Sequence, residues 1–566
     1  MEKRWLYKDT PSPEQVTALC KTINTSNFSS TLLLQRGISD FERAKKFFRP
    51  EITDLHDPFL MKDMHKAVER LKKALDADEK ILIYGDYDVD GTTSVALVYS
   101  YLRKFYPNCD TYIPDRYAEG YGVSLAGVEW AEQNDFTLII ALDCGIKASE
   151  IVSLAKRKGI DFIICDHHLP DDSIPEAAAI LDPKQHDCNY PCKDLSGCGI
   201  GFKFMQAFAK RYRREEDVLD YLDLVAVSIA SDIVPIVDEN RILCHFGLRM
   251  LNENPSPGLK ALKDIAGIKS DLDVSGIVFT LGPRINAAGR VAHGRAAVEL
   301  LVSRTETHAN ELAEKIDLKN EVRKEFDSSI TEEAIAMIEG DQMLRSAKST
   351  VLFKNSWHKG VIGIVAARCV EKFYRPTIIL TESNNKITGS ARSINGFDLY
   401  GAILECSDLL EKFGGHKYAA GLTMDISNLA AFQQRFEEVV SSSLTDEMLT
   451  PVVDIDIPIM LDGITQKFVN LLKQMSPFGP GNLKPVFEVK SAYVVNALTS
   501  FKDRHLKFLV GQDGCESVFQ AVGFDMAGFY DRLRKASDFR MAFNIEENTY
   551  NGITSVQLRI RDIKFD

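Results

Sequence analysis

From Met64 to about Ala77, apolar residues recur at helical spacing, and the chain then alternates short unbroken apolar runs with helical stretches. Ile81-Leu82-Ile83-Tyr84 precedes a helical run over 92–105, and the apolar run 137–142 precedes a helix ending near Lys158. Two more runs follow, 162–165 and 178–181. Buried runs of this length separated by helices predict a parallel sheet covered on both faces. Residues 64–250 therefore read as a doubly wound α/β arrangement, in a domain taken to extend over 64–302. The preceding residues, 1–63, predict a small helical lead-in.

Over 303–347 the charged residues Glu311, Lys315, Lys319 and Arg323 fall at helical spacing, with no glycine before Gly340. That pattern predicts a long connecting helix or helix pair. A second α/β domain is expected over 348–450, with strands at Val351-Leu352-Phe353 and Thr377-Ile378-Ile379-Leu380. Beyond Pro451 the pattern changes to short alternating strands, such as Val486-Phe487-Glu488-Val489, and 451–566 predicts a small β-barrel.

Composition bounds this picture. Hydrophobic residues make up 45% and charged residues 26%, values of a globular rather than a disordered chain. The length of 566 residues suits several domains. The net charge of −13 does not advertise a polyanion-binding protein, so such a role would need a local basic groove. The longest uncharged apolar runs, such as 224–231, fall well short of the roughly 18 residues that a membrane helix needs. The first residues lack the apolar core of a secretory signal. Eleven thinly spread cysteines suit a reduced, cytoplasmic protein without a disulfide framework.

In open parallel sheets ligands gather beyond the carboxyl ends of the strands. The first run is followed by Gly85-Asp86-Tyr87-Asp88-Val89-Asp90-Gly91, whose three carboxylates repel one another unless a cation sits among them. The next runs are followed by Asp143, by Asp166-His167-His168 and by Asp182, and Asp232 closes the apolar run 224–231. Carboxylates with one or two imidazoles suit Mg²⁺ and Mn²⁺ ahead of Zn²⁺. Two such ions about 4 Å apart would activate water and neutralise charge in phosphoester hydrolysis.

These motifs, with Ser231-Asp232-Ile233-Val234-Pro235, resemble the DHH phosphoesterase superfamily. Trp357-His358-Lys359-Gly360, Gly389-Ser390-Ala391-Arg392-Ser393 and Gly414-Gly415-His416 resemble its associated C-terminal domain. Ile113-Pro114-Asp115-Arg116 and Leu281-Gly282-Pro283-Arg284-Ile285-Asn286-Ala287-Ala288-Gly289-Arg290 are similar to its RecJ branch, and the likeness runs from about residue 35 to 566. The resemblance implies a 5′→3′ exonuclease specific for single-stranded DNA, using Mn²⁺ or Mg²⁺ and releasing mononucleotides. The implied roles are DNA repair and recombination, with the C-terminal barrel an oligonucleotide-binding (OB) domain. It implies Asp88, Asp90, Asp143, His167 and Asp232 as metal ligands, Asp86 as a further ligand or supporting acid, and His168 facing the scissile phosphate. Many superfamily members carry a His where this chain has Tyr84. Arg116, Arg284, Asn286, Arg290, Ser390, Arg392, Gly414, Gly415 and His416 are the candidates for holding the DNA end. A plain turn before a helix is the competing reading of Gly414-Gly415. Single-strand-binding protein and a helicase are candidate protein partners, and no membrane is expected.

Three other patterns are set aside. Cys188, Cys192 and Cys198 lack zinc-site spacing. Gly197-Cys198-Gly199-Ile200-Gly201 lacks the preceding strand of a nucleotide loop. Lys210-Arg211-Tyr212-Arg213-Arg214 reads as a solvated helix face. The competing functions are a related phosphodiesterase for cyclic dinucleotides or short RNA, and a DHH protein that binds DNA without cleaving it. The presence of every acid disfavours the second, and the barrel favours a polymer substrate over the first.

Overall fold

A computed structural model describes residues 2–291, 294–496, 498–550 and 552–565, without the side chains of Val291, Tyr550 and Ile553. The chain forms two compact units. The first comprises Arg36–Glu321 with Leu471–Lys484, and the second Met1–Gln35, Val322–Asn470 and Pro485–Asp566. Residues 1–63 thus divide between the units. They form several short helices and also contribute β1 (Arg4–Tyr7), which belongs to the second unit.

In the first unit, β2 (Lys80–Gly85), β3 (Cys109–Tyr112), β4 (Phe136–Leu142), β5 (Asp161–Cys165) and β6 (Ala179–Leu181) form a parallel sheet in the order β3-β2-β4-β5-β6. Alternate residues pack on opposite faces. Ile81, Ile83, Ile140 and Ile163 join the core that includes the Val89–Leu102 and Gly197–Arg211 helices. Leu82, Tyr84, Ile139 and Ile164 meet Val128, Ala131, Val152 and Ala155 on the other side. With both faces covered, the strands read as continuous apolar runs. The strand order reverses between β2 and β4, and their carboxyl ends open the crevice where doubly wound sheets bind ligands. The apolar run 224–231 lies in the buried helix Leu222–Ser231.

A continuous helix, Glu306–Gly340, and a short one, Gln342–Ser346, carry the chain from one unit to the other. The second unit contains β7 (Thr350–Phe353), β8 (Thr377–Ser383), β9 (Lys386–Arg392), β10 (Lys412–His416) and β11 (Ala419–Met424) in a mixed sheet ordered β10-β11-β9-β8-β7. β12 (Val452–Ile455) pairs with β1. The tail adds β13 (Ile457–Pro458), β14 (Phe487–Val494), β15 (Thr499–Phe501), β16 (His505–Gln512), β17 (Phe519–Gly523), β18 (Phe539–Tyr550) and β19 (Ile553–Lys564). Here β14-β18-β19-β17-β16 closes on itself through pairing of β16 with β14, giving a five-stranded barrel of OB type.

Candidate active site

The loop after β2 turns tightly into the Val89–Leu102 helix. Gly91 sits so close to Asp86 that a Cβ would fall 2.3 Å from the Asp86 carbonyl oxygen. Asp88 caps that helix, accepting from Gly91 N–H at 3.1 Å. Asp90, in its first turn, is gripped by two further helices: Oδ2 accepts from Gly197 N–H (2.6 Å), and Oδ1 from Cys198 N–H (2.8 Å) and from the Ser228 hydroxyl of Leu222–Ser231 (2.7 Å). The amides that begin Gly197–Arg211 thus hold a carboxylate of the chain itself, as a helix N-terminus favours.

Asp143 follows β4 with a left-handed backbone (φ 59°) and packs against Gly197, where a Cβ would lie 2.7 Å from Asp143 Cβ. His167 Nε2 stands 3.2 Å from Asp143 Oδ1, 3.6 Å from Asp232 Oδ2 and 3.8 Å from Asp90 Oδ2. Two overlapping groups have ligand atoms close enough to share an ion: Asp90, His167 and Asp232, and Asp143, His167 and His168. Asp86 and Asp88 fall outside these groups, but their charges push the Asp143 pKa upward.

This cluster is buried and predominantly acidic. Burial first, then the Asp90 and Asp88 carboxylates, raise the Asp232 pKa to about 8. Burial and then Asp90 drive Asp143 well above the usual carboxylate range, and burial and then Asp88 do so for Asp86. Asp86 Oδ2, Asp143 Oδ1 and His167 Nδ1 are buried without a hydrogen-bond partner. Buried polar atoms are rarely left so, and a bound cation would satisfy the oxygens. His167 stays neutral, its pKa lowered by burial, and neutral imidazole is the ligating form. The donor set of carboxylates with one imidazole fits Mn²⁺ or Mg²⁺.

His168 is arranged differently. Its Nδ1 lies 2.7 Å from Asp166 Oδ1, and its Nε2 lies 3.0 Å from the Tyr121 hydroxyl. Burial opposes charge on His168, but the Asp166 hydrogen bond and charge outweigh it and raise the pKa. Asp166 is itself held at about 2: burial acts upward, and the His168 hydrogen bond and charge overcome it. It also accepts N–H bonds from Ile146 (2.9 Å) and His167 (2.8 Å). Tyr84 joins neither ligand group, its hydroxyl bonded to Gly122 O at 3.0 Å and its ring stacked on Tyr112.

Around the acidic loop, the Arg116 guanidinium lies 4.8 Å from the Tyr87 ring centre. Gly289 packs on the Tyr87 carbonyl, which brings the Gly282–Val291 helix, with Asn286 and Arg290, to the same loop. The Arg290 carbonyl accepts from the Tyr117 hydroxyl. Arg284 is engaged in an ion pair, its Nε 2.8 Å from Asp317 Oδ1.

The second unit gathers Ser390, Arg392, Gly414 and His416 on one face of its sheet, and Gly415 lies between the last two with the opposite strand parity. Strand register aligns Ser390 with Gly421 and Gly414, and Arg392 with Ala419 and His416. Arg392 Nη1 donates to Ser390 Oγ at 3.1 Å. The Ile362–Phe373 helix begins against this pair: a Cβ on Gly363 would lie 2.8 Å from Ser390 Oγ. Gly414 and Gly415 are therefore strand residues, not a turn before a helix. Gly415 has φ 145° and abuts Ala419 and Ala420, leaving no room for a side chain.

Sequence reading missed Ser196, Gly197, Cys198 and Ser228, which bind or brace Asp90, as well as Tyr121 and the tuning role of Asp166. The glycine-rich start of the Gly197–Arg211 helix was the available signal, and it was read only for a nucleotide. The patterns set aside stay structural: Cys188, Cys192 and Cys198 are buried and join no metal-ligand group among the described residues. In the basic run, Lys210 pairs with Asp57, Arg211 with Glu69 and Arg214 with Asp217.

Three family models match along the chain: the DHH family N-terminal domain over 80–229, the DHHA1 domain over 346–442 and the RecJ OB domain over 455–562. The single-stranded-DNA-specific exonuclease RecJ of Bacillus subtilis is 36% identical over 98% of this chain and 70% of its own length. The chain belongs to the RecJ family. RecJ of Escherichia coli is 33% identical over 88% of this chain and 90% of its own. The Mn²⁺ complex of Thermus thermophilus RecJ shares the fold, with a TM-score of 0.85 at 24% identity over 100% of this chain and 80% of that one. A manganese-bound exonuclease RecJ aligns at 28% identity with a TM-score of 0.61, over 70% of this chain and 98% of that one.

Proposed function

We propose that this chain is a single-stranded-DNA-specific exonuclease that hydrolyses phosphodiester bonds from the 5′ end, releases 5′ mononucleotides and uses two Mn²⁺ or Mg²⁺ ions. The observation that carries this reading is the convergence of Asp90, Asp143 and Asp232 on His167 Nε2, with Asp143 Oδ1 buried and without a hydrogen-bond partner. It is joined by relatives named for this activity. Asp88, Asp90, Asp143, His167 and Asp232 would hold the ions, with Asp86 behind them. Bound there, the ions would supply an acidified water and neutralise charge developing on the phosphate oxygens.

The chain's own groups do the rest. Asp166 orients His168 and favours its protonated form, so that Nε2–H can donate to a phosphate oxygen in place of Tyr121. The backbone amides at Gly197 and Cys198 hold Asp90 still. Arg116 and Arg290, beside the acidic loop, would hold DNA phosphates, and Arg284 would have to leave Asp317 to join them. In the second unit, Arg392 and Ser390 on β9, with Gly414, Gly415 and His416 on β10 of the same sheet, would bind the terminal 5′ phosphate. A guanidinium offers it a bidentate fork.

The functional division would follow the sequence: 64–302 for chemistry, 348–450 for the strand end, 451–566 for single-strand binding, and 1–63 and 303–347 as connections. Closed OB barrels suit sequence-tolerant stacking of bases. An enzyme confined to single strands needs a supply of them, so a helicase and single-strand-binding protein belong to this reading as partners, in DNA repair and recombination. The unpaired cysteines suit the cytoplasm. No helix among the described residues is long and apolar enough to cross a membrane. Digestion of 5′- and 3′-labelled single strands, with Mn²⁺ and with chelator, tests the proposal. A 5′ label should appear at once as mononucleotide, only with metal, and early loss of the 3′ label would refute the polarity.

A further inference from the structure

The backbone that carries Asp232 is strained and clamped. Asp232 ends the Leu222–Ser231 helix, its N–H donating to Ser228 O at 2.9 Å. The next residue, Ile233, has φ 60°, a region that β-branched side chains avoid, and its side chain is exposed. Ile236 is then buried, and its N–H donates to Pro480 O at 2.7 Å. Its side chain packs on Gly479, where a Cβ would lie 2.4 Å from Ile236 Cδ1. Asn240 Nδ2 holds the Pro235 carbonyl at 3.0 Å. The turn from Asp232 to Pro235 is thus fixed at both ends. Such strain persists only where the surroundings over-determine it.

Pro480 and Gly479 lie in Leu471–Lys484, a stretch that packs in the first unit although its flanks in sequence belong to the second. Arg241 locks this strap. Its Nη1 donates to Met475 O (3.1 Å) and Pro477 O (3.3 Å), Nη2 to Ser476 O and Phe47 O (both 2.9 Å), and Nε to Phe47 O (3.2 Å). A guanidinium has five N–H donors, and all of them end on backbone carbonyls. Its carbon sits 3.8 Å from the Phe47 ring centre. Asn482 Nδ2 binds Met475 O and Pro477 O from within the strap, and Asn482 Oδ1 accepts from Arg36. Burying a cation without a carboxylate partner costs stability. What this one provides is a rigid fork that shapes the strap.

We propose that residues 475–482, locked by Arg241, form a positioning strap for the metal centre: by anchoring Ile236 they hold Ile233 left-handed and keep the Asp232 carboxylate facing His167 and Asp90. Arg241, Gly479 and Asn482 act through the Asp232 loop and are positioning residues. The inference rests on the metal-centre reading above.

The test is Mn²⁺ binding to metal-stripped full-length protein, read from the electron paramagnetic resonance of free Mn²⁺ alongside thermal melts. Arg241→Lys keeps the charge but loses the fork. Gly479→Ala leaves Arg241 intact and presses on Ile236, and it carries the test alone should Arg241→Lys not fold. Each folded variant should bind Mn²⁺ about tenfold more weakly, as expected of a change just behind a ligand. Ile233→Asn, a residue that accepts the left-handed region, should restore most of that loss. Wild-type affinity in folded Gly479→Ala, or a loss that Ile233→Asn leaves untouched, overturns the strap. Absence of Mn²⁺ binding by the wild type overturns the metal centre, and the strap with it.

Discussion

In the parallel sheet of the first unit most candidate side chains stand on loops beyond the strand ends, whereas in the mixed sheet of the second they stand on the strands themselves. The first arrangement buries acids against one another and leaves Asp86 Oδ2 and Asp143 Oδ1 without partners. The second spreads Arg392 and Ser390 beside a row of glycine and alanine, with Arg392 bonded to its own neighbour. Buried like charges need a counterion, so the first site should be all-or-none in its metal. A half-exposed arginine contributes one contact among several, so the second should respond by degrees.

The largest difference should come from Asp143→Ala. Losing a proposed ligand from the buried cluster should remove about 4 kcal/mol of charge stabilisation, or roughly 10³-fold in cleavage rate. Binding of long single strands should largely survive. Near-normal cleavage by the purified variant at saturating Mn²⁺ would break the contrast.

A second test uses pH. The Asp232 pKa is raised to about 8 and, chiefly by burial, that of Asp182 to about 7. Without metal the folded chain therefore keeps protons that the unfolded chain releases above about pH 4, so these groups' contribution to stability falls as pH rises from about 4 and is lost by about 7 to 8. At Asp232 a cation would replace the proton. Melts in Mn²⁺ and in chelator should diverge with rising pH, the gain reaching about 2.7 kcal/mol at a hundredfold excess over Kd. A gain that shrinks between about pH 6 and 8 would contradict the assignment.

Arg392→Lys should act more gently. Exchange of a fork for a point charge should reduce the preference for 5′-phosphorylated over 5′-hydroxyl strands by roughly tenfold, about 1.4 kcal/mol, and disturb long-strand binding less. Competition digests of the two substrates measure it. Smallest of all should be the effect of replacing Lys210, Arg213 and Arg214 together by alanine. Exposed ion pairs such as those of Lys210 and Arg214 are worth at most about 1 kcal/mol each, and single-strand affinity at moderate salt should change less than about twofold.

The same contrast explains what the sequence made legible. Asp86, Asp88, Asp90, Asp143 and His167 stood out because each follows a buried apolar run, and strand ends are local in sequence. Asp232 also stood out, as the acid that closes such a run, although that run is a helix. The grip of Gly197 and Cys198 on Asp90 was invisible, since it joins residues more than a hundred positions apart. The pairing of Gly414 with Gly421 was hidden for a different reason: adjacent glycines mark a turn as readily as a crowded strand. Least legible was the strap at 475–482, whose prolines and glycines carry no periodic apolar pattern, while its partners Arg241 and Ile236 lie far upstream.

The central claim is that the carboxylates gathered around His167 hold two metal ions. Anomalous diffraction at the manganese edge from Mn²⁺-soaked crystals tests it most directly. Two peaks about 4 Å apart among Asp88, Asp90, Asp143, His167 and Asp232 are the predicted result, and manganese bound elsewhere with this cluster empty would contradict it.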